Sequence, residues 1–357
     1  MKKYLFIAAL VVKSTLLPAQ DEKKTPVTLS GYAEVYYSRD FRNPASNTRP
    51  AFVYSHNRAN EVSVNLAYLK ADYRNEHVRA SLALATGSYM NANYAAEPGV
   101  LKNIYEAYAG VKISKKHNLW LDAGVFPSHL GFESATGKDN WTLTRSLFAD
   151  NSPYFEAGAK VSYTSQDNRW LMSGLILNGW QRIQRADGNS TPAFGHQLTF
   201  RPTESLVINS ASFIGNDKPD SLRQMRYFHN FYAIYQLGPR WGITAGFDVG
   251  AEQKHKGSAR KNMWLTPVLV ARCTFSERFS ISGRGEYYRD PAGVIVTAPG
   301  GFETWGFSLN TDWVIRSNVM WRAEVRNLNA RSAIFADGSH QPHTSSWVAT
   351  SALAISF

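Results

Sequence analysis

Sixteen runs of extended-type sequence between Val27 and Phe357 are joined by connections that go long, short, long, short without a break. The short connections are 74–76, 114–117, 164–168, 202–204, 238–240, 276–278 and 316–318, and they hold turn formers such as Gln166-Asp167-Asn168 and Gly238-Pro239. The long ones are 39–60, 89–103, 127–153, 179–193, 215–224, 253–261, 289–303 and 329–345. Such an order predicts sequential antiparallel strands with tight turns at one end of the sheet and elaborated loops at the other. No helical period and no linker competes with it.

Within most runs the side chains alternate. Trp305, Phe307, Leu309 and Trp313 alternate with Gly306, Ser308, Asn310 and Asp312; Trp241, Ile243, Ala245, Phe247 and Val249 alternate with Gly242, Thr244, Gly246, Asp248 and Gly250. One face is apolar and the other mixes glycine, hydroxyls and charge. A soluble sandwich would show the same alternation with its apolar face inward. Three features point the other way. Runs of about ten residues exceed the roughly 5–6 of globular strands and suit a tilted bilayer crossing. Aromatics recur at the ends of the apolar face, in the pairs Trp305 with Trp313, Trp347 with Phe357 and Phe155 with Tyr163. The last run, Ser346–Phe357, carries Trp347, Ala349, Ser351, Leu353, Ile355 and the final Phe357 on one face, and is similar to the terminal signal read by the barrel-assembly machinery. A register slip would turn Lys160, Arg284, Arg322 and Arg326 toward lipid, at about 2–4 kcal/mol for each base near the midplane. Lipid also demands that every strand edge be paired. The fold class expected is all-β, a transmembrane antiparallel up-and-down β-barrel of about 16 strands, with bulges in the second, ninth and tenth, where alternation blurs. The charged face is expected to meet water inside.

The only long apolar run, Tyr4–Val12, follows Lys2 and Lys3 and precedes Ala19-Gln20. It is too short for a membrane helix, which needs about 20 residues, and reads as part of a signal peptide over residues 1–20. The barrel is expected over 21–357, in the outer membrane of a Gram-negative bacterium. Removing Lys2, Lys3 and Lys13 with no acid lowers the net charge by three, from +11 to +8. The remaining bases are scattered, and an exported chain is not expected to meet nucleic acid. Cys273 is the single cysteine, so no intrachain disulfide staples the fold. It falls on the apolar face, where a thiol behaves as a small hydrophobe.

Several segments together resemble the OmpL-like β-barrel porins of Gram-negative outer membranes. They are Gly31-Tyr32-Ala33-Glu34-Val35-Tyr36-Tyr37 leading to Asn43-Pro44, Gly124-Val125-Phe126 with Gly131-Phe132-Glu133, Arg145-Ser146, Asn178-Gly179-Trp180, and Glu324-Val325-Arg326 with Phe335 and Asp337-Gly338. The resemblance implies passive diffusion of small polar solutes through a water-filled lumen. It carries no catalytic residues and no cofactor.

A barrel of this size is too wide for its own side chains to fill, so loops must narrow it. The longest connection, 127–153, is the third on the long-loop side, the one that folds inward in general porins. Its charges Glu133, Lys138, Asp139, Arg145 and Asp150 either line a constriction or keep an external loop soluble. By the strand register, Glu34, Glu106, Asp122, Glu156, Lys160, Asp248, Arg272, Arg284, Glu286, Arg322, Glu324 and Arg326 face the lumen. They could set a transverse field that favours polar solutes, or form cross-strand ion pairs that only stiffen the wall. His340 and His343 are a weak metal pair, and no metal is expected. His129, beside Ser128, is the first residue to test for a barrel-embedded lipase or protease, although packing alone would explain it. A loop-mediated binding or adhesion protein is the third alternative. Oligomeric state is not legible in this sequence.

Overall fold

A computed structural model describes residues 26–357; the expected signal peptide lies outside them. The chain runs through β1 (Val27–Asp40), β2 (Val62–Arg74), β3 (Val78–Thr86), β4 (Ile104–Lys112), β5 (Asn118–Pro127), β6 (Phe155–Thr164), β7 (Trp170–Leu177), β8 (Ala193–Thr203) and β9 (Leu206–Gly215). It continues through β10 (Arg226–Leu237), β11 (Trp241–Gln253), β12 (Lys261–Ser276), β13 (Phe279–Asp290), β14 (Phe302–Arg316) and β15 (Val319–Ala330). A small hairpin, β16 (Phe335–Ala336) with β17 (Pro342–His343), precedes β18 (Ser345–Ser356). Each long strand pairs with its sequence neighbours, and β1 pairs with β18, closing one barrel of 16 strands.

The seam between β1 and β18 runs from Tyr32↔Ser356 to Asp40↔Val348. Gly31 N donates to Phe357 O at 2.8 Å, and Phe357 N donates back to Gly31 O at 3.0 Å. A Cβ on Gly31 would stand 2.2 Å from the Phe357 ring, so glycine at this position leaves room for the terminal aromatic to lie across the seam as it does. Closure leaves no strand edge to lipid, which is the condition a hydrocarbon solvent imposes.

Alternation turns the apolar face outward. Trp305, Phe307, Leu309, Trp347 and Phe357 are all more than half exposed, while Asn310, Thr304, Arg322 and Thr350 on the opposite face are buried. Cys273 stands between Trp241 and Ile281 in the sheet. β2 carries the expected bulge, which places both Asn65 and Leu66 in the interior. β10 does not: its pairing with β9 and β11 is unbroken, and β9 is disturbed only at its turn-side end. Alternation blurs there because Ser210, Ser212 and His229 share the outward face with Phe231 and Ile214. His196 joins them, its Nδ1 2.5 Å from Ser212 Oγ. Phe155 is also corrected. It is buried and stacked on Tyr94 at 3.9 Å between centroids, so it belongs to the interior and not to an aromatic girdle.

The long loops contain short helices that no periodicity announced, including α1 (Ser88–Asn93) and α2 (Leu147–Asp150). Loop and wall side chains together fill much of the barrel. Phe52 of the first long loop, Leu130 and Leu147 of the third, and Phe126, Leu177, Phe213, Phe228 and Trp264 of the wall form one apolar cluster.

Candidate functional site

The connection from β5 to β6 does not stay outside. It crosses the barrel and is bonded to the far wall formed by β13, β14 and β15. Leu143 N donates to Asn310 Oδ1 at 3.0 Å, and Thr144 N donates to Glu324 Oε2 at 2.5 Å. Arg284 Nη1 donates to Thr144 O at 2.6 Å while its Nη2 donates to Glu324 Oε1 at 2.9 Å. Leu147 N donates to Glu286 Oε2 at 2.5 Å, and Arg326 holds the same carboxylate at 2.7 Å. Arg322 donates to the carbonyls of Gly137 and Asn140 at 2.6 and 2.8 Å, with Asp312 Oδ1 on its Nε at 2.6 Å.

On the near side, the loop starts from a histidine anchor. His129 Nδ1 lies 2.7 Å from Glu156 Oε2, and its Nε2 donates to Ser212 O at 2.8 Å. The ring reaches that carbonyl because Gly195 has no side chain: a Cβ there would be 2.7 Å from His129 Nε2. With Nε2 on a carbonyl and Nδ1 on a carboxylate, the ring is fixed at both nitrogens as the anchor from which the loop departs. The tip of the loop rests on β1. A Cβ on Gly137 would fall 1.8 Å from Glu34 Oε2, so the loop backbone can pass there only as glycine. Glu34 itself is held by Tyr32 at 2.7 Å, Asn65 at 2.8 Å and His56 at 2.7 Å. Ser146 caps α2 by accepting from Ala149 N at 3.1 Å, and its hydroxyl also contacts Glu133.

All twelve predicted inner-face residues turn inward, but the expectation that they meet water holds for few of them. Glu34, Glu106, Asp122, Glu156, Asp248, Arg284, Glu286, Arg322, Glu324 and Arg326 are no more than 5% exposed. Loops cover them, and buried charge must then be paired or bonded. Glu106 takes Lys70 at 2.9 Å and Asp122 takes Arg79 at 2.5 Å. Asp248 accepts from Asn230 at 2.5 Å. Lys160, whose ammonium lies 4.5 Å from the Phe126 ring centroid, and Arg272, which donates to Ser280 Oγ at 3.0 Å, keep partial exposure. Among the predicted loop charges, Glu133, Arg145 and Asp150 are buried or nearly so, whereas Lys138 and Asp139 pair with each other at 3.4 Å at the surface of the loop. His343 contacts Asp337 at 2.9 Å, and no group of potential metal ligands forms among the described residues.

Three titrating groups of this loop lie outside the spanning strands. Burial pushes the Asp150 carboxyl up to about 7, against the pull of Arg326 and Arg145. Burial also raises Glu133, opposed by Arg284. For His129 burial disfavours the charged ring, but Glu156 and the Ser212 carbonyl outweigh it and the pKa is raised. Below the loop, a cavity of about 390 Å³ is bounded by Lys70, Tyr94, Tyr105, Glu106, Glu133 and Tyr154 among others.

Several contributors were missed. Lys70, Arg79 and Asp312 sit in alternating strands, and that same alternation could have named them. His56 and Arg49 lie in the first long loop, which gave no periodic signal at all.

A closed barrel of 16 antiparallel strands, apolar outside and charged inside, with its third loop folded across the bore, defines a porin-class outer-membrane protein. A family model described as "Putative beta-barrel porin-2, OmpL-like" matches residues 26–357, and the chain belongs to that family. No curated protein matches the sequence. Solved structures share the fold. An anion-selective porin from Comamonas acidovorans is 8% identical, with a TM-score of 0.61 over 93% of this chain and 99% of that one. OmpT of Vibrio cholerae, expressed in the outer membrane, is 9% identical, with a TM-score of 0.60 over 93% and 97%. A mutant of the Rh. blastica porin is 10% identical, with a TM-score of 0.52 over 93% and 100%.

Proposed function

We propose that this protein is a channel for gradient-driven diffusion of small hydrophilic solutes, narrowed by its third loop. The observation that carries the reading is the seating of that loop. A connection that only covered the barrel mouth would not need the inner faces of β13 to β15 as its partners. Fixed bonds to a rigid wall hold a narrowing in place, so that solute size is limited by a built geometry. The lumen-facing charges then serve two ends. Those at the loop junction fix it, and Lys160 and Arg272, which keep partial exposure, are left to face the solute.

Purified protein inserted in planar bilayers is expected to give discrete conductance steps, and proteoliposomes are expected to swell in small sugars faster than in larger ones. A folded barrel that gives neither response would end this reading.

A further inference from the structure

Outside the loop junction, the charges of the inner wall do not cancel. Glu106, Asp122, Glu156 and Glu252 each have a base within hydrogen-bonding distance, supplied by Lys70, Arg79, His129 and Arg226. Asp40, Asp248 and Asp290 have no ion pair, but all are at most 3% exposed. Their oxygens accept from the backbone N–H of Arg42, the amide of Asn230, and the backbone N–H groups of Val294, Ile295 and Val296, respectively. Asp72 is the one exposed acid in surplus, since it shares Lys70 with Glu106 at 3.6 Å.

Bases are in larger surplus. Lys160 rests over the Phe126 ring, Arg272 bonds only a serine, and Arg201, which shares the inward face of β8 with buried Thr199, is exposed; none of the three forms an ion pair among the described residues. Asp122 and Asp312, the acids nearest to Lys160 and Arg272, are committed to Arg79 and Arg322. The tight-turn rim adds exposed Lys115, Lys116, Arg240, Arg278 and Arg316 against Glu76, Asp167, Glu204 and Glu277. In the first long loop, Arg49 is buried with Nε and Nη1 unbonded. Burial and nearby Arg326 lower its pKa to about 10, which leaves it cationic at neutral pH.

We propose that the lumen selects for small anions, with Lys160, Arg201 and Arg272 as the residues that set the preference. This deepens the channel reading and rests on it. An 8% identity to an anion-selective neighbour transfers no selectivity, so the inference stands on these side chains. A mean lumen potential of about one kT/e, modest for a charged cleft, would concentrate anions and deplete cations about e-fold each, giving a permeability ratio of about seven.

The test is the zero-current potential of the purified barrel in a planar bilayer under a KCl gradient. At about 0.1 M salt, chloride is expected to permeate about sevenfold better than potassium. The ratio should fall toward one near 1 M, where the screening length is about 3 Å. The triple variant Lys160→Gln, Arg201→Gln, Arg272→Gln is expected to lose most of the preference, and its folded state is checked by heat-dependent gel mobility. Should that variant misfold, the salt series on the unaltered protein decides alone. Conductance with a potassium preference, or with none at low salt, overturns the inference and leaves the channel intact. A folded barrel that passes no current removes both.

Discussion

Arg284 is fully buried where the third loop meets the wall, contacting Thr142, Thr144 and Glu324, with Glu286 at 3.4 Å. Removing it would strand Glu324 without its paired cation, while Glu286 keeps Arg326, and breaking a buried pair in this way costs about 3–5 kcal/mol. Arg284→Met is therefore expected to lower the unfolding temperature in detergent and to raise single-channel conductance as the loop lifts. Asp150 gives a second prediction at this scale. Its folded pKa of about 7 is above its value in an open chain, as are those of Glu133 and His129 above their own. The seated loop thus binds more protons than a released one, and by linkage its stability falls as pH rises. For Asp150 the loss runs from about pH 4 to 7, for Glu133 it extends above the ordinary carboxyl range, and for His129 above the ordinary histidine range. Open-channel noise and mean conductance are expected to increase between pH 5 and 8, and Asp150→Asn should flatten the Asp150 part of that rise. Equal pH responses in the two proteins would show that the carboxyl is not involved. The inner charges were legible in the sequence because period-2 alternation assigns faces. Their partners were not, since a loop with no period gives no clue to which of the sixteen barrel strands it will touch.

At the scale of the element, the third loop depends on Gly137, where a side chain would overlap the Glu34 carboxylate. Gly137→Val is expected to unseat the loop tip without disturbing any strand pair. The measurement is single-channel conductance together with the thermal unfolding midpoint: conductance should rise and the midpoint should fall only slightly. Unchanged conductance would mean that the tip does not bound the solute path. Strand positions were read to within a few residues because hydrophobic alternation and turn formers act locally. Phe155 escaped because alternation places a side chain on a face but does not report α1 and its flank folding inward to cover it. The polar residues on the outer face of β9 and β10 misled in the opposite sense, mimicking bulges where pairing is regular.

For the whole molecule, the decisive choice is which solvent each face meets. Leu309 is 60% exposed in the middle of β14, so Leu309→Arg is expected to cost about 2–4 kcal/mol in lipid. Folding equilibria in bilayers and in a short-chain detergent should differ, with the penalty larger in the bilayer. The other global feature is the seam. Because Gly31 and Phe357 exchange backbone bonds, the N-terminal strand has no partner on one side until the C-terminal strand is present. Deleting Phe357 is expected to lower the yield of folded, heat-modifiable barrel by removing both those bonds and the ring that lies on Gly31. A nascent chain halted before β18 would carry two bare strand edges that hydrocarbon cannot solvate. A ring that lacks any one strand therefore has no stable place in hydrocarbon, and the barrel enters lipid closed or not at all.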